Sequence, residues 1–280
     1  MHRRRFGWTG VEVPIIGQGT WKMEGDDPDQ VVAAIRAGLD AGMLHVDTAE
    51  LYGGGRVESL VARAIAGRRQ EIFLVSKVMP SHATRSGTIK ACEASLARLK
   101  TDHLDCYLLH WPGSHPLAET IAAFERLVQD GKIRSWGLSN FGVDELEEAL
   151  EIAGPRRIAC NQVLYHLRAR DIEAGVLPWC AEHEVAVVGY SPFGSGDFPA
   201  PASRGGKVLG VIAQAHRATP HQVALAFLVR DPGVFGIPKS ANAERVRANA
   251  AAVELRLTED ELAALETAFP LRKGRYLPTL

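Results

Sequence analysis

Short apolar runs alternate with amphipathic stretches along almost the whole chain. The apolar runs centre on 14–17, 44–46, 72–76, 104–109, 134–138, 159–162, 185–189 and 234–237. Their length, and the turn residues that bound them, predict buried strands. Between and after them, helical periodicity covers 28–41, 58–66, 89–99, 118–128, 143–152, 174–183, 207–216, 220–229, 242–250 and 258–268. In the first of these, Val32, Ile35 and Leu39 share one face behind the acidic start Asp26-Asp27. Such residues satisfy free amide groups at a helix start. Thr219 precedes Pro220, which suits the first helical position. Thr258 and Glu261 have capping-box spacing.

Strands that alternate with helices predict parallel βαβ units. Eight such repeats fit a closed (β/α)8 TIM barrel, an α/β fold, better than an open doubly wound sheet. One barrel domain over 1–280 is the expectation, since no low-complexity tract or linker divides the chain. The segments 5–7 and 11–13, with Trp8-Thr9-Gly10 between, read as a β-hairpin capping the bottom of the barrel.

Composition changes this picture little. The 280 residues are 46% hydrophobic and 23% charged, as in globular proteins. A net charge of −1 gives no field to attract nucleic acid or an anionic membrane. The one dense basic run, Arg3-Arg4-Arg5, is followed by no apolar signal region and reads as a hairpin flank. No segment approaches transmembrane length. Cys92, Cys106, Cys160 and Cys180 form no CxxC pair and read as reduced core thiols of a cytoplasmic protein.

The candidate chemistry lies at strand ends. Asp47 follows the run at 44–46, and Tyr52 comes five residues later. Lys77 closes the run at 72–76, and His110 closes the run at 104–109. In a barrel these positions gather at the C-terminal rim, where active sites sit. Singly, each has an ordinary reading: a cap aspartate, a core aromatic, a snorkelling lysine and a satisfied buried imidazole. Together they form a set for proton chemistry on a carbonyl. An ammonium about 4 Å from a phenol, at an effective dielectric near 20, stabilises the phenolate by roughly 4 kcal/mol. That is about three pK units, before desolvation opposes it. On this reading Lys77 brings Tyr52 toward working pH and Asp47 keeps Lys77 charged. His110 positions the substrate oxygen.

The motifs Gly17-Gln-Gly-Thr-Trp21, His45-Val-Asp-Thr-Ala49, Val75-Ser-Lys-Val78 and Leu108-Leu-His-Trp-Pro112 occur in that order. Gly131-Lys-Ile-Arg-Ser-Trp-Gly-Leu-Ser-Asn140, Asn161-Gln162, Tyr190-Ser-Pro192 and Ile237-Pro-Lys-Ser240 follow them. The series resembles the aldo-keto reductase family, most closely its bacterial methylglyoxal and diketogluconate reductase-type members. The resemblance implies a barrel that binds NADPH in extended form and reduces carbonyls with Asp47, Tyr52, Lys77 and His110. Gly19, Thr20 and Asp47 match the nicotinamide-ribose end. Ser139, Asn140 and Gln162 match the carboxamide contacts, and Tyr190, with Ser191 beside it, the stacking aromatic. Lys239, Ser240 and Arg245 match a 2′-phosphate clamp, which favours NADPH over NADH. Asn249 matches an adenine contact, although Ala248 stands where the family often has an acid.

Trp21, Met79, His110, Trp111 and Phe193 are the implied pocket walls, with Phe193 where leucine is commoner. The tail after Phe269 is short, which predicts an open pocket. Its Arg272, Lys273 and Arg275 read as solubilising charge. A small-molecule carbonyl is the implied partner, and a monomer the implied state. A competing class is an NADP(H)-sensing regulatory subunit with marginal turnover. A metal-dependent hydrolase finds no converging ligand set, so no metal is predicted.

Overall fold

The computed structural model describes residues 1–271 and 277–279. The positions of Arg272, Lys273 and Arg275 lie outside them. The chain opens on a hairpin in which β1 (Arg3–Arg5) pairs antiparallel with β2 (Glu12–Pro14). The barrel strands are β3 (Gln18–Gly19), β4 (His45–Asp47), β5 (Phe73–Val78) and β6 (Leu104–Leu109), then β7 (Ile133–Ser139), β8 (Ile158–Leu164), β9 (Ala186–Tyr190) and β10 (Val234–Ile237). All neighbours in this series are parallel. Parallel bridges Ile16↔Gly236 and Gly19↔Lys239 join the last strand to the first and close the barrel.

The helices are α1 (Pro28–Asp40), α2 (Arg56–Ile65), α3 (Arg85–Leu99), α4 (Leu117–Gln129) and α5 (Val143–Ala153), then α6 (Val176–Glu182), α7 (Arg204–Ala215), α8 (Pro220–Leu228), α9 (Ala243–Ala251) and α10 (Glu259–Ala268). The apolar run at 14–17 is not a barrel strand. Pro14 ends the hairpin, and the first barrel strand begins only at Gln18. Helices α3 and α7 start earlier than periodicity indicates. Thr84 and Ser203 cap them by accepting from Gly87 N and Gly206 N. Glycines that suggest a break in sequence therefore sit inside capped first turns.

The hairpin plugs the N-terminal end of the barrel. Phe6 is fully buried against His45, Phe73 and Phe235, residues at or near the starts of their strands. Gly7 makes this approach possible. Its φ is +54°, and a Cβ there would stand 2.6 Å from Ala159 O. Trp8 Nε1 donates to Ile158 O, and Arg4 donates to the carbonyls of Val229 and Asp231. The tri-arginine segment is thus partly a set of backbone ties.

Period-two alternation divides the core. On β5, Phe73 and Val75 face the barrel interior with Cys106 and Leu108 of β6. Leu74, Val78, Tyr107 and Leu109 face the helices. Lys77 continues the interior parity of β5 and His110 that of β6, while Asp47 shares the parity of His45 on β4. Three of the four candidate residues therefore point into the same end of the barrel because of strand parity alone.

Candidate active site

Lys77 is fully buried, and each of its three N–H bonds has an acceptor. Its ammonium lies 2.6 Å from Asp47 Oδ1, 2.8 Å from Thr48 O and 3.1 Å from Tyr52 Oη. An ammonium has three donors and no acceptor, so Lys77 is saturated and acts as a fixed charge. The other Asp47 oxygen accepts from Gln162 Nε2 at 2.7 Å, and Thr20 Oγ1 donates to Asp47 O. Because Tyr52 Oη accepts from Lys77, its own hydrogen is left to point elsewhere, and Tyr52 lines a cavity.

Tyr52 is delivered by an unusual turn. It opens a 3-10 segment, Tyr52–Gly55, in which Gly53, Gly54 and Gly55 have φ of 57°, 62° and 86°. Only glycine takes three successive left-handed conformations cheaply. The turn is braced from behind: a Cβ on Gly55 would stand 2.5 Å from Arg98 Nε. Arg98 in turn donates to Glu58 Oε2 at 2.5 Å, and Ser76 Oγ donates to Glu58 Oε1 at 2.6 Å. Glu58 is fully buried. This chain of contacts ties the Tyr52 turn to the residue preceding Lys77. Sequence reading missed Glu58 and Arg98, since a helical Glu and Arg have no local signature of burial.

The cavity has a volume of about 570 Å³, ordinary for a small-ligand site. Gly19, Thr20, Asp47, Tyr52 and His110 line its floor with Ser139, Asn140, Gln162, Tyr190 and Ser191. Trp21, Leu51, Trp111, Pro112 and Thr279 add largely apolar walls, and Ile237 and Lys239 complete the lining. Asn140 and Ser191 have φ of 63° and 48°, and backbone of this kind in non-glycine residues gathers at functional sites. Asn140 is held at both ends of its amide. It donates to His110 O at 3.1 Å and accepts from Tyr190 Oη at 2.9 Å.

Two expected wall residues do not line this cavity. The Met79 amide donates to Glu50 Oε1, and the chain turns away there into a 3-10 segment, Pro80–His82. Phe193 packs edge-on against Phe198 and His221 beneath α8. Leu51, Pro112, Ile237 and Thr279 replace them. Thr279, beyond α10, lines the cavity and supplies part of its wall.

Lys239 also lines a neighbouring outer groove, with Asp26, Gln30, Ser240, Asn242 and Arg245. This groove lies at the N-terminus of α9, where Asn242 caps the helix by accepting from Arg245 N. Asn249 is buried on α9 and lines neither cavity.

Comparisons with known proteins identify the family. The sequence model of the Aldo/keto reductase family matches residues 15–269. Methylglyoxal reductase YeaE of Escherichia coli is 44% identical over 279 residues, covering 98% of each chain. Glyoxal reductase of Bacillus subtilis is 33% identical, covering 90% of this chain and 88% of that one. An aldo-keto reductase from Klebsiella pneumoniae, crystallised with NADPH, superposes with a TM-score of 0.93 at 44% identity. It covers 100% of this chain and 99% of its own. The chain belongs to the aldo/keto reductase family.

Electrostatics separates the roles available to this aldo/keto reductase. Burial raises the Tyr52 phenol, and Lys77 lowers it by charge and hydrogen bonding; burial wins, and the pKa lies above the ordinary tyrosine value. The lowering by Lys77 therefore does not bring the phenol toward working pH, because the opposing desolvation is the larger effect. Burial also works against the Lys77 ammonium, yet Asp47 and Tyr52 outweigh it and hold its pKa above normal. His110 is pushed down to about 2 by burial, with Lys77 adding to the effect. It is a neutral imidazole at any working pH. Among the described residues no three His, Cys, Asp or Glu side chains converge as metal ligands, and no helix is long and apolar enough to cross a membrane.

Proposed function

We propose that this chain reduces small aldehydes, 2-oxoaldehydes of the methylglyoxal kind, or ketones to alcohols, using NADPH. The observation that carries the reading is the one-sided hydrogen bonding of Tyr52. Its oxygen accepts from a saturated, permanently charged Lys77, and its proton is available to the cavity. A carbonyl oxygen placed there receives that proton as negative charge develops on it. The raised pKa keeps Tyr52 protonated before the reaction, and the Lys77 charge stabilises the phenolate left behind. His110, neutral, hydrogen-bonds the substrate oxygen without competing as an acid. Asp47 compensates the buried ammonium and fixes its direction.

The residues present fit the dinucleotide. The cavity continues at Lys239 into the groove with Ser240 and Arg245. Two cations, a hydroxyl and a helix N-terminus suit a phosphate dianion. Ser139, Asn140 and Gln162 offer amide and hydroxyl groups for a carboxamide, and Tyr190 offers a flat face. When bound, NADPH supplies the hydride. The preference for 2-oxoaldehydes draws on the relatives named for methylglyoxal and glyoxal reduction.

The test is NADPH oxidation, followed by absorbance, with methylglyoxal, 4-nitrobenzaldehyde and a keto-sugar acid, run beside NADH. Steady multiple turnover with NADPH supports the reductase. Tight NADPH binding without turnover on any carbonyl would instead support a dinucleotide sensor.

A further inference from the structure

Lys239 stands at the junction of the catalytic cavity and the outer groove and lines both. Its ammonium is already engaged. Asp26 Oδ2, from the loop ahead of α1, lies 2.6 Å away. The two side chains are 33% and 34% exposed, so the pair is wet and opens at small cost. Asp26 also lines the groove, together with Ser240 and Arg245. A carboxylate therefore sits inside a groove otherwise suited to an anion, holding one of its two cations.

We infer that Asp26 is a specificity-determining residue that competes with the 2′-phosphate for Lys239 and so limits the preference for NADPH over NADH. The inference rests on the reading of this groove as the 2′-phosphate site. A phosphate dianion must displace the Asp26 carboxylate from Lys239 and then tolerate it as a like charge nearby. A nucleotide with a bare 2′-hydroxyl meets neither cost. It leaves the pair intact and presents a donor to a carboxylate, the arrangement by which acidic residues accept a ribose hydroxyl elsewhere. Asp26 is half-buried in the loop ahead of α1, outside the barrel core, and Asp26→Asn keeps nearly the same shape, so the packed structure is left alone.

The experiment compares wild type, Asp26→Asn and Asp26→Glu for binding of 2′,5′-ADP, 5′-AMP and NADPH by calorimetry at low and high salt. Asp26→Asn should bind 2′,5′-ADP and NADPH about fivefold tighter at low salt, the scale of one exposed ion pair. Binding of 5′-AMP should not tighten, and Asp26→Glu should behave as wild type. The gain should shrink at about 1 M salt, where the screening length falls to roughly 3 Å. Unchanged or weaker 2′,5′-ADP binding by Asp26→Asn overturns the competition. Weaker binding would mean that Asp26 holds Lys239 in place for the phosphate. If neither wild type nor Asp26→Asn binds NADPH at all, the dinucleotide reading itself fails, and the competition with it.

Discussion

Lys77 Nζ lies 3.1 Å from Tyr52 Oη and donates to it, so the phenol proton points away from the ammonium in a residue that lines the cavity. Tyr52→Phe removes that proton and little else from the site. NADPH binding should persist, and carbonyl turnover should fall by about two to four orders of magnitude, the usual worth of a general acid. Fluorescence titration and steady-state rates check the two halves separately. Near-normal turnover would remove Tyr52 from the role.

Lys77→Met takes the charge away from the phenol and leaves Asp47 buried with Gln162 as its remaining side-chain partner. Breaking a buried pair this way costs about 3–5 kcal/mol, so the variant should melt lower. Adding Asp47→Asn should restore much of the stability while activity stays lost. Recovery of activity in the double variant would show that Lys77 serves the fold and not the phenol.

The pH profile follows from His110. Its pKa is about 2, so it does not change charge across the range where an ordinary histidine titrates, about pH 5 to 8. With Tyr52 raised above its ordinary value, kcat for reduction should be flat through that range and decline only in alkali. A limb near pH 6.5 in kcat that disappears in His110→Asn would contradict the neutral assignment.

Arg245→Ala should weaken NADPH about ten- to hundredfold, the scale of a charge-assisted hydrogen bond. NADH should change little. Equal loss for both, read from dissociation constants, would place the clamp elsewhere.

His45 offers a stability prediction. It is fully buried, neither ring nitrogen has a hydrogen-bond partner among the described residues, and Phe6 and Phe73 meet its ring. Burial, opposed by Asp47 and assisted by Lys77, holds its pKa near 4. Below about pH 6.5 the unfolded chain protonates this histidine and the folded chain does not. Stability is therefore complete above pH 6.5 and falls by about 1.4 kcal/mol per pH unit toward about 4. His45→Leu should flatten that slope in chemical denaturation and leave neutral-pH stability equal or higher. An unchanged slope would assign the acid sensitivity to other groups.

Sequence alone determined the repeating strand–helix order, because hydrophobic periodicity is local. It also placed Asp47, Lys77 and His110 at strand ends, and strand parity did the rest. The motif order is specific enough to indicate the family by itself. Tertiary structure decided what depends on depth and on distant neighbours. Desolvation, which no sequence window contains, turned the Tyr52 pKa upward. Phe193 packs on Phe198 and His221, and at Met79 the backbone is held by Glu50 and turns into a 3-10 segment, so their positions in the motif did not place them in the cavity. The buried brace of Glu58 and Arg98 behind the Tyr52 turn, and the engagement of Lys239 by Asp26 from more than two hundred residues away, exist only once the barrel closes.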